Sequence, residues 1–172
     1  MSNNEKFYGK YRGTVVNNID PKQMGRIIAV VPDVSNVLPT TWAMPCVPIT
    51  GRLMGTFVIP QIGAGVWIEF EQGDPDYPIW VGGYWGTAAE VPALALQPPP
   101  PPGINIVLQT SFQNMLMLSD VPGPTGGILL KTTTGAFISV NDVGITISNG
   151  KGASIVMAGP TVTINQGALV IT

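Results

Sequence analysis

Apolar and polar positions alternate with period two through much of this 172-residue chain, most regularly in its last third. There, apolar residues recur in pairs at i and i+2: Ile138 and Val140, Ile145 and Ile147, Ile155 and Met157, Val162 and Ile164, Leu169 and Ile171. Small or polar residues such as Ser139, Thr146 and Thr163 separate the partners. Such alternation predicts short strands with one buried face. The pairs start seven residues apart, except for one ten-residue step that holds Asn149, Gly150, Lys151 and Gly152. A strand of about five residues in every seven leaves about two for a turn. A glycine precedes each pair within three residues (Gly135, Gly144, Gly152, Gly159 and Gly167), where a tight corner needs one.

That spacing suits either a hairpin meander or a winding β-solenoid. Two features favour winding. Residues 104–172 carry only four charges (Asp120, Lys131, Asp142 and Lys151), too few for the Lys- and Glu-rich outer face of a solvated meander. Each strand also offers only two inward side chains, so the stripe needs neighbours to cover it. Three copies winding together would close a prism with the ten paired residues as its trimer core. About eight strands per chain, spaced about 4.8 Å apart, would make a shaft of roughly 40 Å. A single-chain solenoid or sandwich, and a disordered or amyloid-like segment, are the alternatives.

The first half alternates in shorter runs. Strands are expected at residues 12–18, 25–31, 41–47, 55–59, 65–70 and 78–83, the third as a proline-broken edge. Five or six short strands at about ten-residue spacing, without helical periodicity, predict a small barrel of the five-stranded OB type. Between the halves runs a proline-rich stretch with five consecutive prolines, Pro98 to Pro102. Prolines in series favour polyproline II, and five span roughly 15 Å as a semi-rigid spacer. The expected organisation is a barrel domain at 1–89, a neck at 90–103 and a β-helix shaft at 104–172.

Composition narrows the function. Residues 1–89 hold six Lys or Arg against seven Asp or Glu, and the whole chain has a net charge of −2. A single-strand-binding OB face needs a basic groove, so no nucleic acid is expected. The absence of histidine and the single cysteine exclude Ser-His-Asp and Cys-His catalysis and histidine-based metal sites. Glu69 with Glu71, and Asp74 with Asp76, remain as carboxylate pairs; the former would share a strand face, the latter suits a turn. The reading is no enzyme, no catalytic residue, no metal and no cofactor. Cys46 is expected to be a small buried hydrophobe. The N-terminus lacks an apolar signal core and no apolar run reaches about 18 residues, which points to assembly in a cytoplasm.

One ordered set of landmarks carries a resemblance. It runs from Arg12-Gly13 and Val15 through Asp20-Pro21, Gly25-Arg26-Ile27 and Trp42-Ala43 with Pro45. It continues with Gly63, Gly65, Glu69-Phe70, Gly73-Asp74-Pro75 and Pro78. In this order the chain resembles the central spike proteins of contractile tails: the phage baseplate assembly protein V family and the valine-glycine-repeat spikes of type VI secretion. The resemblance implies an all-β chain, an N-terminal OB-type five-stranded barrel followed by a C-terminal intertwined trimeric β-helix. It also implies a structural role: a homotrimer in a virion tail or injection-machine baseplate, under a trimeric hub protein, transmitting force into the target envelope with transient membrane contact. Only about fourteen residues separate barrel from shaft, too few for the lysozyme that certain phage spikes insert there. Roughly ten precede the first strand, so a hub is expected as a separate protein. Without histidine the chain cannot build the iron-binding apex of some short spikes. Its last rung, Ala168, Leu169, Val170, Ile171 and Thr172, is instead expected to meet a small tip protein of the proline-alanine-alanine-arginine repeat (PAAR) type. The competing class is a binding module, either an OB nucleic-acid binder or a fibre adhesin with a β-solenoid tail.

Overall fold

The computed structural model describes residues 5–96 and 105–171. The five-proline run and Thr172 lie outside them. Contacts divide the chain into two units at Ala88 and Ala89.

The first unit is a closed barrel. Strand β1 (Tyr11–Asn17) pairs antiparallel with β2 (Ile28–Val30) on one side and with β6 (Gly65–Phe70) on the other. The following β7 (Pro78–Tyr84) pairs antiparallel with β6 and parallel with β3 (Met44–Pro45). Closure comes from Ile27 and Ala43, which exchange both backbone hydrogen bonds, N–H to O, at 3.2 and 2.7 Å. The resulting circuit is the OB arrangement. The segment 41–47, expected at an edge, supplies the short last strand β3 of this sheet, and the bridge from Ala43 to Ile27 turns that edge into the closure of the barrel. Pro45 is tolerated because the neighbouring Cys46 N–H makes the bond to Trp80 O, at 2.9 Å.

Alternation sets the barrel core. Val15, Ile27, Ala29, Val31, Ala43, Val66, Ile68, Phe70 and Trp80 are buried together. The Trp80 indole N–H donates to Gly25 O at 3.0 Å, so its polar end is satisfied. The β1–β2 turn is held by Asp20, whose carboxylate accepts the N–H groups of Lys22, Met24 and Arg26 and the Arg26 guanidinium at 2.6 Å. A four-residue helix α1 (Pro32–Ser35) follows β2. Of the strand expected at 55–59, Gly55 alone lies in one: a short hairpin, β4 (Thr50–Gly51) with β5 (Met54–Gly55), forms instead, and residues 56–58 beyond it are exposed. Cys46 is exposed rather than buried, because Ala43 points inward on the same strand and alternation turns residue 46 outward.

The second unit is one eight-stranded antiparallel sheet. Its strands are β8 (Asn105–Gln109), β9 (Met115–Ser119), β10 (Gly127–Lys131), β11 (Phe137–Asn141), β12 (Gly144–Ser148), β13 (Ser154–Ala158), β14 (Thr161–Ile164) and β15 (Leu169–Ile171). Each pairs with the next in chain order. Within one chain the seven-residue repeat is therefore a hairpin meander rather than a winding coil. The two-residue connections Asp142-Val143 and Gly159-Pro160 each return the chain directly along the strand before it, as the antiparallel pairing of β11 with β12 and of β13 with β14 shows. Asn141 Oδ1 accepts the Val143 N–H at 2.9 Å and shapes one such turn. Gly127 opens β10 at φ +77°, and a Cβ there would lie 2.0 Å from Val140 O, so only glycine fits. Before the sheet, a 3-10 turn (Ala93–Leu96) is tied to β8 by Asn105 Nδ2, which donates to Leu94 O at 3.3 Å.

Candidate functional site

The registers of the meander bring the sequence-predicted pairs onto one face. Val140 faces Ile145, Ile145 faces Met157, Met157 faces Val162 and Val162 faces Ile171. Beside them run Ile138, Ile147, Ile155, Ile164 and Leu169, each opposite the next. All ten predicted residues thus stand in two parallel columns. Every turn preserves register, so the alternation of each strand falls on the same side.

Both columns extend further than the sequence reading took them. Val140 continues to Ile128, Leu118 and Ile106, while Ile138 continues to Leu130, Leu116 and Leu108. The signal was present, since each added strand also carries an apolar i, i+2 pair. The loops between those strands are longer, so the seven-residue spacing that marks the later pairs is lost there. Sixteen apolar side chains in two unbroken columns of eight make up this face.

Within the C-terminal unit nothing among the described residues covers them. Ile147, in the middle of the sheet, is 40% exposed, whereas Ile27 and Ile68 of the barrel are 0% exposed. Among the described residues Met117 is the one buried large apolar side chain of the C-terminal unit. The opposite face is mixed: Ser139, Thr146 and Thr163 stand in one register with Val107, the buried Met117, Leu129 and Val156. Eleven of the sixteen are exposed and five are partly buried, so the uncovered apolar surface is on the order of 1,000 Å², well above the roughly 300–600 Å² of the largest patch on a typical monomer. A groove of about 640 Å³ runs along part of this face, floored by Leu108, Leu116, Leu130, Ile138 and Ile147.

Of the predicted terminal rung, Leu169 and Ile171 are more than half exposed on β15, the last strand of the sheet, and Ala168 leads into it from a 3-10 turn (Asn165–Gly167). Asn165 Oδ1 accepts the Ser154 N–H at 3.0 Å and ties that turn to β13. Val170 is a residue of β15, opposite Thr163.

The carboxylate pairs do not assemble a catalytic centre. Glu69 is engaged by the Lys10 ammonium, while Glu71 lies past the end of β6 in a 3-10 turn. Asp74 accepts the Asp76 N–H at 3.1 Å and faces Lys6 Nζ at 3.6 Å, which is a turn role. Asp20 has a strongly shifted acidity. The Arg26 guanidinium beside it holds its carboxyl well below the usual carboxylate range, aided by the three backbone N–H donors, and Asp20 in turn raises Arg26. Arg26 also stacks over Trp42, 5.2 Å from the ring centroid. This cluster fastens a turn; it meets no cleft among the described residues. No cluster of three or more metal-ligating side chains occurs among the described residues either.

Comparison with known proteins follows the same division of the chain. Residues 11–85 match the type VI secretion system/phage-baseplate injector OB domain. Residues 105–170 match the phage baseplate V C-terminal trimerisation domain, a span that holds fifteen of the sixteen residues of the apolar face. A search of curated proteins gave no match. The matched families are structural baseplate components. With one family domain forming the barrel and the other forming the eight-stranded sheet, the chain belongs to the phage baseplate V family of injector spikes.

Proposed function

We propose that three copies of this chain assemble into the central spike of a contractile injection machine. The three apolar sheet faces turn toward a common axis and the Ser- and Thr-bearing faces turn to solvent. The barrels join a trimeric hub, the far ends carry a PAAR-type tip protein, and the shaft transmits the force that opens the target envelope. The observation that carries this reading is the uncovered face of sixteen apolar side chains. Withdrawing on the order of 1,000 Å² per chain is worth about 25 kcal/mol before entropic costs. It also exceeds the roughly 800 Å² per partner of a standard stable interface. The low charge of the sheet suits passage into a membrane, since ionised groups are costly there. A backbone bonded strand to strand along its length resists fraying under load.

Sedimentation equilibrium of the purified chain tests the assembly. Three chains per particle, unchanged on dilution, are expected. A well-folded monomer would overturn the reading.

A further inference from the structure

The barrel carries two exposed apolar patches outside its core. The first is the finger between β3 and β6. Ile49, Met54, Phe57 and Val58 are all more than half exposed, and Leu53 at the hairpin tip is 100% exposed. From Ile49 to Pro60 the finger bears one charge, Arg52 beside Leu53, and this guanidinium makes no ion pair among the described residues. The second patch lies on two loops joined to each other. Thr41 Oγ1 donates to Asp76 O at 2.9 Å, which fastens the loop of Val37 and Leu38 to the turn of Tyr77. Val37, Leu38 and Tyr77 are each more than three-fifths exposed. Asp76, next to Tyr77, and Asp33, in α1 four residues before Val37, are exposed and pair with no cation among the described residues.

An apolar finger tipped by a cation and an apolar patch flanked by carboxylates are complementary in both respects. They also differ from each other, and that difference suits a three-fold assembly. Away from the axis of a three-fold ring every contact is heterologous: one surface of each copy meets a different surface of the next, and the ring closes. Chains held together elsewhere present such surfaces to one another at millimolar effective concentration. We propose that the finger of one barrel seats on the Val37, Leu38 and Tyr77 patch of the next copy, with Arg52 against Asp76 and Asp33. The barrels would thus close a ring of their own. This rests on the trimer reading above and adds a second interface to it.

The test uses the full-length chain with Cys46→Ala, because Cys46 is exposed and would react. Leu53→Cys and Leu38→Cys are introduced singly and together, and each sample is treated with a short bismaleimide after its mass is checked by sedimentation. Both sites are exposed, so folding should survive. The double variant should give covalently linked trimers, each single variant should give none, and Arg52→Glu should cut the linked fraction several-fold, restored by adding Asp76→Arg. Links from Leu53→Cys alone would place the fingers together on the axis and overturn the ring. A sample that sediments as a trimer but stays unlinked would overturn it as well, leaving the trimer standing. A monomeric sample would instead overturn the trimer reading on which the ring depends.

Discussion

At the scale of single residues, two positions one step apart separate the faces of the sheet. Ile147 lies between Ile138 and Ile155 in an apolar column, while Thr146 lies between Ser139 and Val156 on the other side. Ile147→Asp places three carboxylates at one level around the proposed axis. An uncompensated buried charge costs on the order of 3 kcal/mol or more per chain. Thr146→Asp puts its charge on the outer face of the proposed trimer, away from the axis, and should cost far less. Thermal melts with sedimentation should show loss of assembly for the first and little change for the second; equal effects would mean that the inward face is misassigned. A second residue-scale expectation concerns Asp20, which is 2% exposed with Arg26 at 11%. Its folded acidity is depressed, chiefly by the Arg26 hydrogen bond. The unfolded chain therefore binds the proton more readily, and the stabilisation is present above about pH 4 and lost as pH falls below it toward the folded value. Asp20→Asn should lower the melting temperature of the barrel at neutral pH. The gap to the unaltered chain should narrow on acidification below about pH 4, followed by tryptophan fluorescence. A gap that stays constant from pH 7 to pH 2 would show that the turn needs only a polar acceptor.

At the scale of elements, the meander depends on its ends. Inner strands have two hydrogen-bonded neighbours, whereas β15 pairs only with β14 among the described residues and displays Leu169 and Ile171. Open strand edges with exposed apolar side chains associate unless covered. Co-expression with a PAAR-type protein is expected to give one cap per trimer, and deletion of residues 168–172 to abolish it. Cap binding that survives the deletion, with a full-length trimer that stays soluble alone, would refute the role given to this strand. The barrel solves the same edge problem differently. The bridge between Ile27 and Ala43 joins the flanks of β2 and β3, so the barrel leaves no long edge for addition of another strand.

At the scale of the whole molecule, the two units have different sources of stability. The barrel owns a core of nine buried apolar residues and satisfies the polar end of Trp80 within it. The sheet has complete strand pairing and almost no core, so its apolar face waits for partners. A match to a trimerisation domain over residues 105–170 fits this division, because the part without its own core is the part that associates. An intimate oligomer of such sheets has no stable folded monomer to return to, which is why resistance to dilution is the informative feature of the sedimentation experiment.

Local pattern determined much of this protein. Alternation placed the strands of the sheet, assigned all ten paired residues to one face and separated Val66, Ile68 and Phe70 from Trp67 and Glu69 in the barrel, because side-chain direction in a strand depends only on position within it. The ordered Gly, Asp and Pro landmarks identified the barrel type. Tertiary structure decided what pattern could not reach. The apolar run at 55–59 reads like a strand, yet it bonds only the short arm at Ile49 and Thr50, so Phe57 and Val58 stay exposed on a finger. The short run at 44–45 becomes a strand because β7 lies beside it. Two-residue loops look alike in a meander and in a coil, and only the observed pairing of each strand with its successor distinguishes them. The columns reach β8 because register is carried across loops of unequal length by hydrogen bonds between strands, which leave no trace in the spacing of residues along the chain.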